Sequence, residues 1–250
     1  YAADMANEFN GVNEVIPVRG FNYRQYAVAD YHKDHPNQPL IGTEMGSTVT
    51  TRGIYEKDEI RGYVPDQDIT APWWASKAED WWKLAAENDF WQGGFVWTGF
   101  DYRGEPTPYK WPNVNSHFGI MDVCGFPKNI YYYYKSWWTD EDVIHISPHW
   151  NWNEKIGQPI EVWVNSNADD VELFLNGKSL GKKTMPRNSH LKWQVTYFPH
   201  ARTLMDFEKA RFNMIEQQIR PWNVLNQTVL DLLEVVKREN FVSTGLEKLA

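Results

Sequence analysis

Glu44 closes the run Pro39-Leu40-Ile41-Gly42-Thr43-Glu44, a short apolar stretch that ends in a carboxylate. At the C-terminal end of a buried strand in a parallel barrel, such a carboxylate faces the active site, where it can attack a substrate. Taken alone, the same pattern also describes a solvated loop carboxylate. Its neighbours extend the set. Asn22 and Tyr23 follow the apolar Val15, Ile16 and Val18 and fit the end of a preceding strand, while Trp97 closes Gly93-Gly94-Phe95-Val96-Trp97 and is followed by Asp101. Successive strand ends and loops therefore offer a carboxylate, an amide, a phenol and a large ring. That combination suits glycoside chemistry, because indole faces stack on the C–H patches of a pyranose while carboxylates and amides bind its hydroxyls.

The elements that must hold these residues follow from periodicity. Pro72 is expected to open a helix with Trp74, Ala78, Trp81, Trp82 and Ala85 on one face, between the strand ending at Glu44 and the strand at 93–97. Strand, helix, strand implies a right-handed parallel crossover. A further helix is expected from near Pro127, through Tyr131 to Tyr134, to Trp138. After Asp142 the period becomes two: Ile160, Val162 and Val164, then Val171, Leu173 and Leu175, then Leu191, Trp193, Val195 and Tyr197 alternate with polar residues. Asn176-Gly177 is a strong hairpin signal. Three or four strands fit before Pro199, fewer than the roughly seven of a complete sandwich. In the tail, Thr203 or Asp206 can cap a helix stopped by Pro221, and Asn226 can cap a second carrying Val229, Leu230, Leu233 and Val236.

Composition sets outer limits. The 250 residues carry a net charge of -8, so there is no basic excess of the kind that nucleic-acid partners require. A lone cysteine, Cys124, cannot form an internal disulfide, no Cys/His cluster has structural-zinc spacing, and no apolar run reaches the roughly 20 residues of a membrane-spanning helix. The 14 Trp, 13 Tyr and 12 Phe fit either a sugar-binding surface or a core rich in large rings. The charge is unevenly placed: residues before 202 hold 18 basic and 26 acidic side chains, whereas the rest balance at seven each. A boundary is expected there. The opening Tyr1-Ala2-Ala3-Asp4 reads as the middle of a longer chain.

Several long motifs resemble one family. Ile41-Gly42-Thr43-Glu44, the stretch from Gly93 through Trp97-Thr98-Gly99-Phe100-Asp101-Tyr102-Arg103-Gly104-Glu105 to Tyr109, Phe118-Gly119-Ile120-Met121-Asp122 and Gly125-Phe126-Pro127-Lys128 resemble the C-terminal half of the catalytic barrel of glycoside hydrolase family two, close to its beta-galactosidases from Bacteroides-type gut bacteria. His149-Trp150-Asn151-Trp152, Val162-Trp163-Val164 and the stretch from Val171 to Gly181 resemble the sandwich domain that follows that barrel. The resemblance implies an α/β chain: the C-terminal portion of a (β/α)8 TIM barrel at 1–142, a partial immunoglobulin-like β-sandwich at 143–199 and a short helical tail at 200–250.

It also implies a retaining mechanism with Glu44 as nucleophile and a second glutamate as general acid and base. Tyr23 would hydrogen-bond the nucleophile, Trp97 would form part of the sugar-binding floor, and Asn22 and Asp101 would contact hydroxyls. Asp101 and Glu105 are equally well explained as turn-structuring residues. The family's acid is a Glu preceded by Asn on an earlier strand. Asn7-Glu8 and Asn13-Glu14 lie too close to Glu44 for that, so the acid is expected to be missing and the chain to be weak or inactive alone. In the glucuronidase branch an Asn and a Lys hold the uronate, whereas Asn115-Ser116-His117-Phe118 offers no lysine, which favours a neutral β-galactoside. His117 is either a pocket donor or a rim residue. His145 and His149 lack a carboxylate at ligand spacing, and neither metal nor cofactor is expected. The parent family points to the periplasm or the extracellular space.

The tail carries a separate resemblance. Residues 205–222 and Arg238-Glu239-Asn240-Phe241-Val242 are similar to the beginning of bacterial protein-L-isoaspartate O-methyltransferases, but no Gly-rich strand-to-helix turn for S-adenosylmethionine follows. A join of two unrelated genes is expected, without methyl-transfer chemistry. The rival readings are a non-catalytic carbohydrate-binding module and, after it, a methyltransferase fragment.

Overall fold

A computed structural model describes residues 2–3, 15–198, 215 and 226–236. It divides into two compact units, Tyr1–Trp150 with Pro159–Val195, and Asn151–Gln158 with Thr196–Ala250. In the first unit, strands β1 (Ala2–Ala3), β2 (Arg19–Asn22), β3 (Leu40–Gly46) and β4 (Trp91–Trp97) pair in parallel and in sequential order. Helix α1 (Val28–Asp34) links β2 to β3, and α2 (Ala78–Ala86) links β3 to β4. The pairing continues past β4: Thr98 and Ile120 exchange backbone bonds with the facing chain, and Phe100 bridges Met121 in parallel. Helix α3 (Asn129–Trp138) follows. The fold is thus mixed α/β, with strand–helix–strand connections around a parallel sheet.

Buried Phe21, Leu40, Met45, Trp81 and Tyr133 form the core between the sheet and α2 and α3. Two glycines lie at the β3–β4 contact. A Cβ on Gly42 would lie 2.4 Å from Met45 Cγ, and one on Gly94 would lie 2.9 Å from the Gly42 carbonyl oxygen. Both sit where the register shifts; the Gly42 contact is with Met45 of its own strand, whereas at Gly94 a side chain would meet the β3 backbone.

Two expectations need correction. The helix after β3 starts at Ala78, not at Pro72. Buried Asp68 accepts the amide protons of Ala78 and Glu79 at 2.8 and 3.0 Å and Thr48 Oγ accepts that of Ala78, which caps the helix at this point. Residues 72–77 form turns instead, with Ser76 N donating to the Gly46 carbonyl. Similarly, Val15 and Val18 are exposed and precede the strand; β2 begins at Arg19.

The period-two segments form strands as expected, five of them where three or four had been expected: β5 (Ile144–Ser147), β6 (Pro159–Ser166), β7 (Asp170–Leu175), β8 (Lys178–Thr184) and β9 (Leu191–Thr196). β5, β6 and β9 make one sheet, and β7 and β8 a hairpin turned at Asn176 (φ 52°) and Gly177 (φ 77°). Val162, Val164, Val171, Leu173, Trp193 and Val195 bury the facing sides. Side chains of α2 and α3 grip the turn before β9: Tyr133 and Trp137 donate to the Asn188 and Ser189 carbonyls, and Glu79 accepts from Ser189 Oγ and pairs with His190.

In the second unit, α4 (Gln227–Val235) is capped by Asn226, whose Oδ1 accepts from Val229 N, as expected. The other expected tail helix lies, apart from Ile215, outside the described residues, as do Asn7-Glu8 and Asn13-Glu14.

Candidate active site

The register of the parallel strands collects the site. Asn22 lies opposite Glu44, and Gly46 lies opposite Trp97, so three adjacent strands end together. Tyr23 leaves β2 in the left-handed region (φ 59°), held by its N–H on the Glu44 carbonyl oxygen. This returns the phenol to within 3.3 Å of Glu44 Oε2 and 3.0 Å of Ser47 Oγ. Ser47 in turn donates to the Trp97 carbonyl at 3.1 Å. With the Ser47 proton on that carbonyl, the Tyr23 proton lies between Ser47 Oγ and the carboxylate. Burial, and behind it the negative charge of Glu44, pushes the Tyr23 phenol far above its ordinary range. Tyr23 is therefore a neutral donor beside a carboxylate, wedged by Trp74 edge-on at 4.7 Å.

Asn22 is oriented by Thr43, whose hydroxyl donates to Asn22 Oδ1 at 2.6 Å and leaves the amide nitrogen as the donor end. Trp97 is half-buried, and its indole N–H donates to Tyr102 OH at 3.3 Å. Tyr102 donates in a short bond to Glu105, and burial together with that partner pushes its phenol up to about 12. The charge of Glu105 is also felt at Tyr23. Glu105 thus joins the rim of the site through Tyr102, from a turn where it adopts φ 48°.

Asp101 stands elsewhere. It is buried in an ion pair with Lys128 at 2.8 Å and accepts from Gly119 N, so its carboxylate is engaged by the protein itself. Lys128 Nζ also donates to the Thr50 and His117 carbonyls, tying together the chain after β3, the turn after β4 and the strand-like 117–121 segment. Burial works against both charges, lowering the lysine and raising the aspartate. His117 is buried with Nδ1 3.2 Å from Thr51 Oγ1; burial, then the Lys128 charge, pull its pKa down to about 4, so it is neutral at pH 7.

Three contributors are absent from the sequence reading: Ser47, which links Tyr23 to Trp97; Lys128; and Trp74, which had been given to a helix face. Gly46-Ser47 at the end of β3, a turn pair that the structure places at positive φ, is the signal for the first. The other two act across 27 and 51 residues, a separation no local pattern reveals. Among the described residues, no group of three or more His, Cys, Asp and Glu could hold a metal ion.

A family model described as a domain of unknown function, DUF4982, matches residues 157–199. Over 204 residues the chain is 42% identical to beta-galactosidase BoGH2A of Bacteroides ovatus, matching 74% of this chain and 24% of that protein. It is 43% identical to a putative beta-glucuronidase of Formosa agariphila over 226 residues, 75% of this chain and 22% of the relative. Among solved structures, a beta-glycosidase from Bacteroides vulgatus aligns with a TM-score of 0.67 at 29% identity, covering 74% of this chain and 28% of that one. A glycosyl hydrolase family 2 member from Bacteroides cellulosilyticus aligns at 0.54 and 25% identity, covering 73% and 25%. The chain spans about a quarter of the length of the curated relatives it matches. These likenesses are to glycosidases, and the methyltransferase reading of residues 205–242 is not supported by them.

Proposed function

From homology to family 2 glycosidases over about 74% of the chain, we propose that this segment supplies the nucleophile side of a retaining β-galactosidase site. The sheet is then an arc of a (β/α)8 barrel at 1–142, followed by sandwich strands at 143–199 and a separate tail at 200–250. Glu44 attacks the anomeric carbon, the bond to the leaving oxygen breaks, and that oxygen takes a proton from a second glutamic acid about 5 to 5.5 Å away in the complete site. This segment is not expected to carry that residue, so that alone it is weak or inactive on substrates whose leaving group needs a proton. In the second half-reaction the same glutamate takes a proton from water, the water oxygen bonds to the anomeric carbon, and Glu44 is released as carboxylate. Tyr23 orients Glu44, the Asn22 amide contacts a sugar hydroxyl, and Trp97 carries the ring.

The observation carrying this reading is the Tyr23 hydroxyl on Glu44 Oε2, placed by the ends of adjacent parallel strands. The galactoside in particular is supported by the absence of lysine at 115–118 and by the named activity of the Bacteroides ovatus relative. 2,4-Dinitrophenyl β-galactoside tests the proposal, since its leaving group departs without a proton and the first step runs on Glu44 alone. Glu44→Ala is expected to abolish release of the phenol, and azide to restore it with α-galactosyl azide as product. An undiminished rate in Glu44→Ala would refute the assignment.

A further inference from the structure

The ribbon that carries Tyr102 has two faces. Arg103 pairs antiparallel with Asn115, Ser116 N donates to the Tyr102 carbonyl, and Gly104 N donates to the Val114 carbonyl. Neighbouring residues in extended chain point to opposite sides. One side carries Tyr102, Ser116 and Phe118, and turns toward Trp97: Tyr102 OH accepts from the indole, and Phe118 shares a cluster with Trp97. The other side carries Arg103, Asn115 and His117, which line a hollow of about 310 Å³ together with Arg61, Tyr63 and Asn113. A Cβ on Gly62 would lie 2.3 Å from Asn113 Oδ1, so the bare backbone there admits the Asn113 amide to the wall.

We propose that this hollow is a second saccharide site, separate from Glu44, that takes a sugar unit bearing a carboxylate or a sulfate. Its volume lies at the small end of ligand clefts, about 300 to 1,000 Å³, which suits one ring. Two arginines from different loops, Arg61 and Arg103, line it, and guanidinium forks match both oxyanions, while Asn113, Asn115 and neutral His117 are the polar residues available to hydroxyls. Arg61 Nε lies 3.7 Å from Asp58 Oδ2, the arginine exposed and the aspartate half-buried. A pair of that kind is worth at most about 1 kcal/mol, so a ligand anion can displace it. The ligand being a saccharide rests on the glycosidase reading above; the cationic lining does not.

Methyl β-glucuronide and galactose 6-sulfate, with methyl β-galactoside as neutral control, test this by NMR titration of the whole chain at low salt. The acidic sugars are expected to bind roughly tenfold more tightly than the neutral one at the hollow, and Arg61→Gln with Arg103→Gln to remove that preference while melting temperature stays unchanged. Labelling of Glu44 by 2-deoxy-2-fluoro-β-galactosyl fluoride is expected to proceed in the double variant and to leave acidic-sugar binding intact. Preference that survives both arginine substitutions, equal binding of acidic and neutral sugars, or acidic binding lost once Glu44 is labelled would overturn the proposal. Acidic sugars bound at the hollow without any labelling of Glu44 would refute the catalytic reading and leave the anion site standing. The carboxylate and sulfate probes, compared with each other, identify which oxyanion the site prefers.

Discussion

The parallel sheet and strands β7 and β9 handle polar side chains differently. Along β7 and β9 burial alternates with exposure, with Val171, Leu173, Leu191, Trp193 and Val195 inside and Glu172, Phe174, Lys192 and Gln194 outside. Around the parallel sheet, Ser47, Thr48, Asp66, Asp68, Asp101, His117 and Lys128 are buried, and each has a hydrogen-bond or ion-pair partner. The buried face that β7 and β9 contribute is apolar. The sheet region carries a polar scaffold that costs stability unless fully matched, and that scaffold aims Tyr23, Glu44 and Trp97 at one place.

The contrast is broken most severely at Lys128. Lys128→Met leaves Asp101 charged and buried, and a loss of about 3–5 kcal/mol is expected in denaturant unfolding. Replacing both partners, as Lys128→Met with Asp101→Leu, is expected to recover a large part of it. If the single and double variants unfold alike, the ion pair does not organise the loops. Val164→Ala, in the sandwich core, is expected to cost about 2 kcal/mol while labelling of Glu44 at 25 °C keeps its rate. A slowed reaction in an otherwise folded Val164→Ala protein would erase the distinction between the two regions.

The smallest effect is in pH dependence. Burial lowers His117 and His145 to about 4 from an unfolded value of 6.5. Unfolding therefore takes up protons between those values, and their contribution, fully present above pH 6.5, is lost as pH falls toward 4. Asp66 acts in the opposite sense, since burial raises it to about 6 and its contribution, present below 3.8, fades as pH rises through 6. His145 spans the regions: its Nε2 meets Asn129 Oδ1 at 2.8 Å, and its ring stacks on Tyr132 at 3.7 Å. His145→Gln is expected to flatten the acid limb of the unfolding free energy against pH, from denaturant titrations, by about 1 kcal/mol per pH unit. An unchanged slope would mean that His145 is protonated in the folded protein.

The two regions also differ in how much of them the sequence discloses. The sandwich strands were legible, because alternation of Val171, Leu173 and Leu175 and of Leu191, Trp193 and Val195 is itself the burial pattern, and Asn176-Gly177 marks its own turn. The strands holding Glu44 and Trp97 are legible too, since apolar runs between glycines and prolines locate buried strands, although β3 continues two residues past Glu44 to Gly46. What stayed hidden are contacts made across distance. Nothing near Pro72 reveals that Asp68 will cap the helix at Ala78, and nothing near Lys128 reveals Asp101. Asp101 stays ambiguous in the sequence because an acid after a strand end looks alike whether it meets a sugar or a buried lysine.

The most direct test of the central claim is a peptide map of the chain after exposure to 2-deoxy-2-fluoro-β-galactosyl fluoride. Fluoride leaves without acid assistance, so the Glu44 carboxylate can displace it and retain the fluorosugar as an ester. A fluorogalactosyl adduct on Glu44, absent in Glu44→Gln, is the expected result. An adduct on another carboxylate, or an unmodified Glu44 in folded protein, would contradict the account.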